Sequence, residues 1–320
     1  MNLLAIVAAL ALEQWRAFEW RGAVERVFLS YVRGIEQRLN GGTFGQGSLA
    51  TALAIGPPVV ITGLAWWIAN HIHPALGLLV NVAVLYLLMG FRHFSHSVSA
   101  IVAALKGGDI VAARRALAEW RGGAAADIAS QDVARLAIER GLADAYRQVF
   151  GVLFWFMVLP GPVGAVLYRA AVLLADEWKG VVPGADVSAP IRSLSVFGEP
   201  ARQLLRWVDW IPVRLTALSF AVVGDFEDAV YCWRTQASAW PVAHGGFTYG
   251  ILLATGAGAL GVQLGGPVHA AGGDIDPRPE IGVGDPVEAD VLPSAVGLVW
   301  RALILWLLLV FLLSLANWVP

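Results

Sequence analysis

Charged side chains set against long apolar runs are the residues of this sequence with the clearest chemical potential. Glu139, Asp144, Arg147, Arg169, Asp209 and Arg214 all stand in that position. An ionised group in hydrocarbon is costly, so such residues face a bundle interior, a cavity or one another. Asp209 and Arg214 lie five apart in RWVDWIPVRL, with Pro212 between them to bend the segment. Two readings stand for that block: a structural salt bridge near the interface, and a polar floor under a bound substrate. The string Leu260–Pro267, LGVQLGGP, would end a helix and could offer backbone N–H groups to an anion such as phosphate. No P-loop occurs, so nothing supports a standard nucleotide cradle.

The histidines say less. His93 and His96 fall three apart on one helix face, but two ligands make a weak metal site, and an interfacial pair explains them better. His71 and His73 fit solvent or headgroup contacts, and His244 and His269 bracket a glycine-rich run. Cys232 is the single cysteine, so no internal disulfide forms.

The elements that must position these groups follow from the composition. Of 320 residues, 58% are apolar and 14% charged, the net charge is -2, and the mean hydropathy is +0.65. Soluble domains carry roughly 25% charge, so a cytosolic globule and a disordered chain are both excluded. The balance offers no basic surface, and no nucleic acid is expected as a partner. Residues 39–91 contain no Asp, Glu, Lys or Arg over 53 positions. That length holds two spans of about 20 residues, near Leu49–Ala69 and Pro74–Phe91, turning at Asn70–His73.

A third apolar region, Val149–Ala175, carries Pro160-Gly161-Pro162 in its middle: a kinked span, or two half-helices. Further segments are Ile211–Gly224, a glycine-dense Phe247–Leu264 suited to close packing, and Trp300–Pro320. The start, Leu3–Leu12, is too short to span. It reads as one long helix to Leu39, with Glu13, Arg16, Glu19, Arg21, Glu25 and Arg26 on its polar side. It lacks a basic n-region and a cleavage site, so no cleaved signal peptide is expected. Residues 96–145 form a polar helical insert, with helices Ser97–Leu105, Ile110–Trp120 and Asp132–Tyr146, and with Asp109 and Asp132 as caps. Residues 274–295 form an acidic loop rich in Gly and Pro. The expected fold is all-α: a polytopic integral membrane helical bundle of five or six spans with broken, Gly-rich helices.

Several strings carry a resemblance: AIVAALKGGDIVAARRALAEW, FGVLFWFMVLPGPVGAVLYRAA, WVDWIPVRLTAL, and GAGALGVQLGGP with PEIGVGDPV. From about residue 80 to 300 the chain resembles the CobD/CbiB superfamily of integral membrane proteins, to which the AmpE regulatory proteins are related. The resemblance implies a single membrane domain over 1–320, multi-pass in the bacterial inner (plasma) membrane, working in cobalamin biosynthesis. Family enzymes are adenosylcobinamide-phosphate synthases. They join adenosylcobyric acid, a corrinoid, to aminopropanol or its phosphate, with ATP activating the carboxylate.

Carried over by position, the resemblance implies Glu139, Arg169, Asp209 and Arg214 as catalytic. It implies Tyr168, Asp144, Arg147, His244, Gly261, Gly265 and Gly266 as substrate-binding. The arginines would stabilise phosphoryl oxygens, and Asp209 and Glu139 would hold Mg²⁺. Partners so implied are the lipid bilayer, a corrinoid or other small ligand, and a second copy or other membrane proteins of the corrinoid pathway.

Some positions depart from the family pattern. The asparagine of its NTLD element is Val172 here, its Ala-Glu-Asn falls at Leu142-Ala143-Asp144, and its Ser-Pro-Asn-x-Gly falls near Val242–Gly246. These departures keep open a second reading, a non-catalytic AmpE-like membrane sensor or modulator. A third, a transporter-like bundle, lacks any inverted repeat.

Overall fold

Helices in this chain stop where glycine, proline or a capping side chain interrupts an apolar run. The computed structural model describes residues 2–15, 21–121, 128–178, 196–269 and 275–316, with backbone alone for 91–95, 243, 269, 275 and 276. The described residues form α1 (Asn2–Trp15), α2 (Arg21–Leu39), α3 (Phe44–Ile72), α4 (Pro74–Leu88), α5 (Phe91–Lys106), α6 (Ile110–Arg121) and α7 (Ser130–Ala145). A π turn over Tyr146–Phe150 leads to α8 (Gly151–Val158), α9 (Val163–Glu177), α10 (Glu199–Val223), α11 (Phe226–Gln236) and α12 (Gly246–Leu260). Five short strands follow, β1 (Val262–Gly265), β2 (Val268–His269), β3 (Ile275–Asp276), β4 (Glu280–Gly282) and β5 (Asp285–Pro286), and then α13 (Val291–Ala316). The expected run from Leu3 to Leu39 is seen as α1 and α2. Residues 16–20 between them, including Arg16 and Glu19, lie outside the described residues, as do 270–274 and 317–320.

The chain divides into two compact units, Met1–Met89 with Gly151–Trp210, and Gly90–Phe150 with Ile211–Pro320. In the first, α3 packs on α2, α4 and α9, and α1 packs on α4. The turn between α3 and α4 is shorter than Asn70–His73, because α3 runs on to Ile72 and His73 alone separates the helices. His73 serves both: its N–H donates to the Ala69 carbonyl at 3.0 Å, and its Nδ1 accepts from the Ala75 N–H at 3.1 Å. Pro74 then starts α4 with the fixed φ that a first helical position favours.

A proline inside a helix removes one N–H and strands the carbonyl four residues back. Two such carbonyls are answered here by aromatic donors. Pro57 leaves Leu53 free, and the Tyr31 hydroxyl donates to that oxygen at 2.7 Å. Pro212 leaves Val208 free, and Trp155 Nε1 donates to it at 3.0 Å. The Pro160-Gly161-Pro162 region is a true break between α8 and α9, so the half-helix alternative holds.

In the second unit, α7 and α12 lie at the centre. From Gly250 to Ala259 every residue of α12 is buried. Asp109 caps α6, accepting from the Ala112 N–H at 2.9 Å. Asp132 is not a cap: α7 starts two residues earlier, and Asp132 pairs within the first turn with Arg135 at 2.7 Å. The main departure from an all-helical expectation follows α12. That helix stops at Leu260, not Leu264, because Gly261 takes a left-handed φ of +65° that terminates it. Val262–Gly265 then runs as β1, antiparallel to β4 with Leu264 opposite Ile281, and parallel to β5. Beta-branched and alternating residues after a left-handed glycine favour that strand over another helical turn. The chain remains predominantly helical.

Two described helices, α3 with 29 residues and α13 with 26, are long and apolar enough to cross a bilayer. The helices α1, α4 and α12 are apolar but shorter. Val60, Ile61, Leu64 and Ile68 on α3 and Ile304, Leu308, Phe311 and Leu312 on α13 are exposed, a surface that suits lipid rather than water.

Cys232 is fully buried on α11, and burial, helped by the Asp228 charge, pushes its thiol up to about 11. Only about one thiol in a thousand is thiolate at pH 8. A maleimide should therefore leave Cys232 unmodified at pH 8 in the folded protein and label it after denaturation in SDS. Rapid labelling of the folded chain, read by mass, would contradict that burial.

Candidate functional site

Glu139 faces inward from α7, whose buried residues run almost unbroken from Val133 to Ala145. Its carboxylate is buried, and both oxygens are engaged. Oε1 accepts from the Gly265 N–H at 2.8 Å, and Oε2 accepts from the Arg278 guanidinium at 2.7 Å. Arg278 also donates from Nε to the Gly266 carbonyl at 3.3 Å. The backbone there needs glycine: Gly265 and Gly266 have φ of +73° and +76°, and a Cβ on Gly265 would press on Trp240 and the Pro279 carbonyl. Arg278 lies over the Trp240 ring at 5.5 Å, and Trp240 Nε1 donates to the His244 carbonyl at 3.0 Å.

Glu139, Gly265, Gly266 and His244 are thus linked contact by contact. The links are Arg278 and Trp240, neither of which stood out in the sequence. Arg278 had a signal: it and Arg301 are the only basic residues in an acidic stretch from 274 to 301.

The start of α12 gathers two more of the selected residues. The Arg147 guanidinium lies 5.0 Å from the Tyr249 ring centroid, and Arg214 lies 5.8 Å from that of Phe247. Both rings belong to the first turn of α12, where backbone N–H groups and the helix dipole favour negative charge. Asp144 is buried and accepts from Trp120 Nε1 at 2.9 Å and from Arg140 Nε at 3.1 Å, which makes it a fixture of the α6–α7 packing. Gly261 ends α12. Gly256, Gly258 and Gly261 spell G-x-G-x-x-G. They close a buried helix instead of opening one after a strand, so they form no dinucleotide cradle. A cavity of about 90 Å³ opens beside β1, bordered by Asp132, Arg135, Gln263 and Glu280.

The first unit holds the other three. The Tyr168 hydroxyl donates to Asp209 Oδ1 at 3.0 Å, and both side chains are buried. Gly151 makes room for that pair, since a Cβ there would strike the Tyr168 ring. Arg169, the next residue on α9, turns to Glu25 on α2. The side chain of His93 lies outside the described residues.

Among the described residues no three His, Cys, Asp or Glu side chains converge to hold a metal ion. The donor set at Glu139 does not fit a resident Mg²⁺, because a guanidinium and a backbone N–H already occupy its oxygens.

An inward carboxylate–guanidinium clamp on a glycine turn is set in a predominantly helical chain, two of whose described helices are long and apolar enough to cross a membrane. The chain matches the CobD/Cbib protein family over residues 6–299 and belongs to that family. It is 34% identical over 278 residues to the Cobalamin biosynthesis protein CobD of Stutzerimonas stutzeri strain A1501, covering 86% of this chain and 85% of that protein. It is 35% identical over 261 residues to the protein of the same name from Chromobacterium violaceum, covering 82% and 77%. No solved structure matches the chain.

Glu139→Gln would leave Arg278, whose side chain is 6% exposed, as an uncompensated buried cation. A loss of about 3–5 kcal/mol is expected. Asp132→Asn breaks a more exposed pair with Arg135 and should cost about 0–1 kcal/mol. Denaturation of both variants in detergent checks the ranking, and equal small losses would remove the clamp from the account.

Proposed function

We propose that this protein acts in cobalamin biosynthesis as an amide-forming synthase. In this reading ATP phosphorylates the side-chain carboxylate of adenosylcobyric acid, giving an acyl phosphate and ADP. The amine of aminopropanol, or of its phosphate, then attacks the acyl carbon and releases phosphate. The observation that carries the reading is the approach of Arg147 and Arg214 to the first turn of α12, beside the linked Glu139–Arg278–Gly265 turn, in a chain of the CobD/CbiB family.

Two guanidinium groups and a helix N-terminus together suit phosphoryl oxygens whose charge grows during transfer. Glu139 and Arg278 act as positioning residues, fixing the Gly265–Gly266 backbone. Mg²⁺ would serve as counter-ion to the nucleotide phosphates, needing few ligands from the protein. The chain sits as five or six crossings, drawn from α3, α4, the α8–α9 pair, α10, α12 and α13, in the bacterial inner membrane.

A non-catalytic modulator on the same fold is the second reading. The engagement of Glu139 by Arg278 and the apolar Val172 favour it.

Complementation separates the two. Expressed in a strain lacking the corrinoid amidation step, the protein should restore adenosylcobinamide or its phosphate, identified by mass. Absence of product with verified membrane expression would sink the synthase reading. Arg214→Ala should lower kcat/KM or ligand affinity about 10–100-fold through loss of one charge-assisted contact, with little change in melting. Parallel losses of binding and of stability would mark Arg214 as structural.

A further inference from the structure

The first unit contains a second cavity, of about 240 Å³, an open cleft bordered by α2, α3, α4 and α9. Its walls are apolar, with Phe28, Pro58, Val84 and Leu173 among them. Three charged residues border it: Arg21, Glu25 and Arg169. Arg21 has both its Nε and a terminal nitrogen engaged, donating to the carbonyls of Tyr86 and Leu87 at 3.1 and 3.0 Å and to Glu13 at 3.3 Å. Arg169 differs. One terminal nitrogen reaches Glu25, while its Nε–H is sealed from solvent with no partner.

A buried guanidinium N–H without an acceptor is expensive, and an anionic oxygen is the acceptor that matches it best. The remaining space is hydrocarbon in character and takes an alkyl chain, not a polar metabolite. The cavity also borders α3, whose outer flank carries exposed Val60, Ile61 and Leu64 and which is long enough to cross a bilayer.

We propose that this cavity seats a membrane phospholipid. Its phosphodiester accepts from Arg169 Nε–H, and one acyl chain fills the apolar part between α2 and α9. Glu25, paired with Arg169, faces the headgroup side and favours a lipid that also carries an ammonium group, such as phosphatidylethanolamine.

The test uses the full chain purified in mild detergent, stripped of lipid and titrated with dioleoylphosphatidylethanolamine in the same detergent. Native mass spectrometry and the melting midpoint are read together, and neither depends on enzymatic activity. One lipid per chain and a raised midpoint are expected. Arg169→Gln should weaken retention about tenfold, and Ala170→Phe, which fills the cavity from α9, should abolish it. Leu173→Trp serves the same purpose should Ala170→Phe fail to fold. Inorganic phosphate alone should neither stabilise the chain nor displace the lipid. The proposal is overturned if the folded wild type keeps no lipid, if the variants keep it as the wild type does, or if phosphate alone reproduces the stabilisation and competes.

Discussion

The carboxylate of Glu139 and the guanidinium of Arg278 meet at 2.7 Å with both side chains more than nine-tenths buried, and the second unit is arranged around that meeting. Two charges taken out of water cost several kcal/mol each unless geometry and further hydrogen bonds compensate. Here the compensation comes from backbone. The Gly265 N–H reaches Glu139, and the Gly266 carbonyl receives Arg278. The pair therefore ties α7 to the segment after α12, and the tie works only if the backbone at 265 and 266 is left-handed. Without it a glycine-rich string would be an ordinary helix end. With it, the string becomes a fixed turn held against α7.

Much of the helical plan was legible because hydrocarbon imposes a simple rule on sequence. Uncharged stretches near helix length became α3, α4 and α12, and the Gly107-Gly108 and Pro160–Pro162 breaks fell where backbone chemistry demands them, whereas α10 starts at Glu199 and α13 at Val291, ahead of the expected Ile211 and Trp300. The other departures are local. The α3–α4 turn shrank to His73 because its imidazole and N–H satisfy both helix ends at once, which composition alone does not reveal. The short sheet was missed because Val262-Gln263-Leu264 continues an apolar run smoothly. Only the left-handed Gly261 separates strand from helix there, and a lone glycine carries little directional information.

The burial of the selected charges was legible in the sequence, and their pairing was not. Each of the charges beside an apolar run is partly or fully buried. Their partners are hard to read from sequence, since they come from distant segments: Gly265 and Arg278 for Glu139, Tyr168 for Asp209, Glu25 for Arg169. Arg278 sits in a loop where a single cation among carboxylates suggests surface solubility. Trp240 resembles an interfacial aromatic, yet its ring lies under Arg278.

The aromatic donors beneath the helical prolines have a mechanical consequence. In water, a carbonyl freed by proline is solvated, and the helix can flex about it. In lipid that solvent is missing, and an unanswered carbonyl costs several kcal/mol. Tyr31 and Trp155 supply the missing donors from neighbouring helices, so each proline site is bolted to a second rod. Pro57 is thereby a fixture of the first unit rather than a joint, and α3 is held straight onto α2 at the point where its own ladder is interrupted.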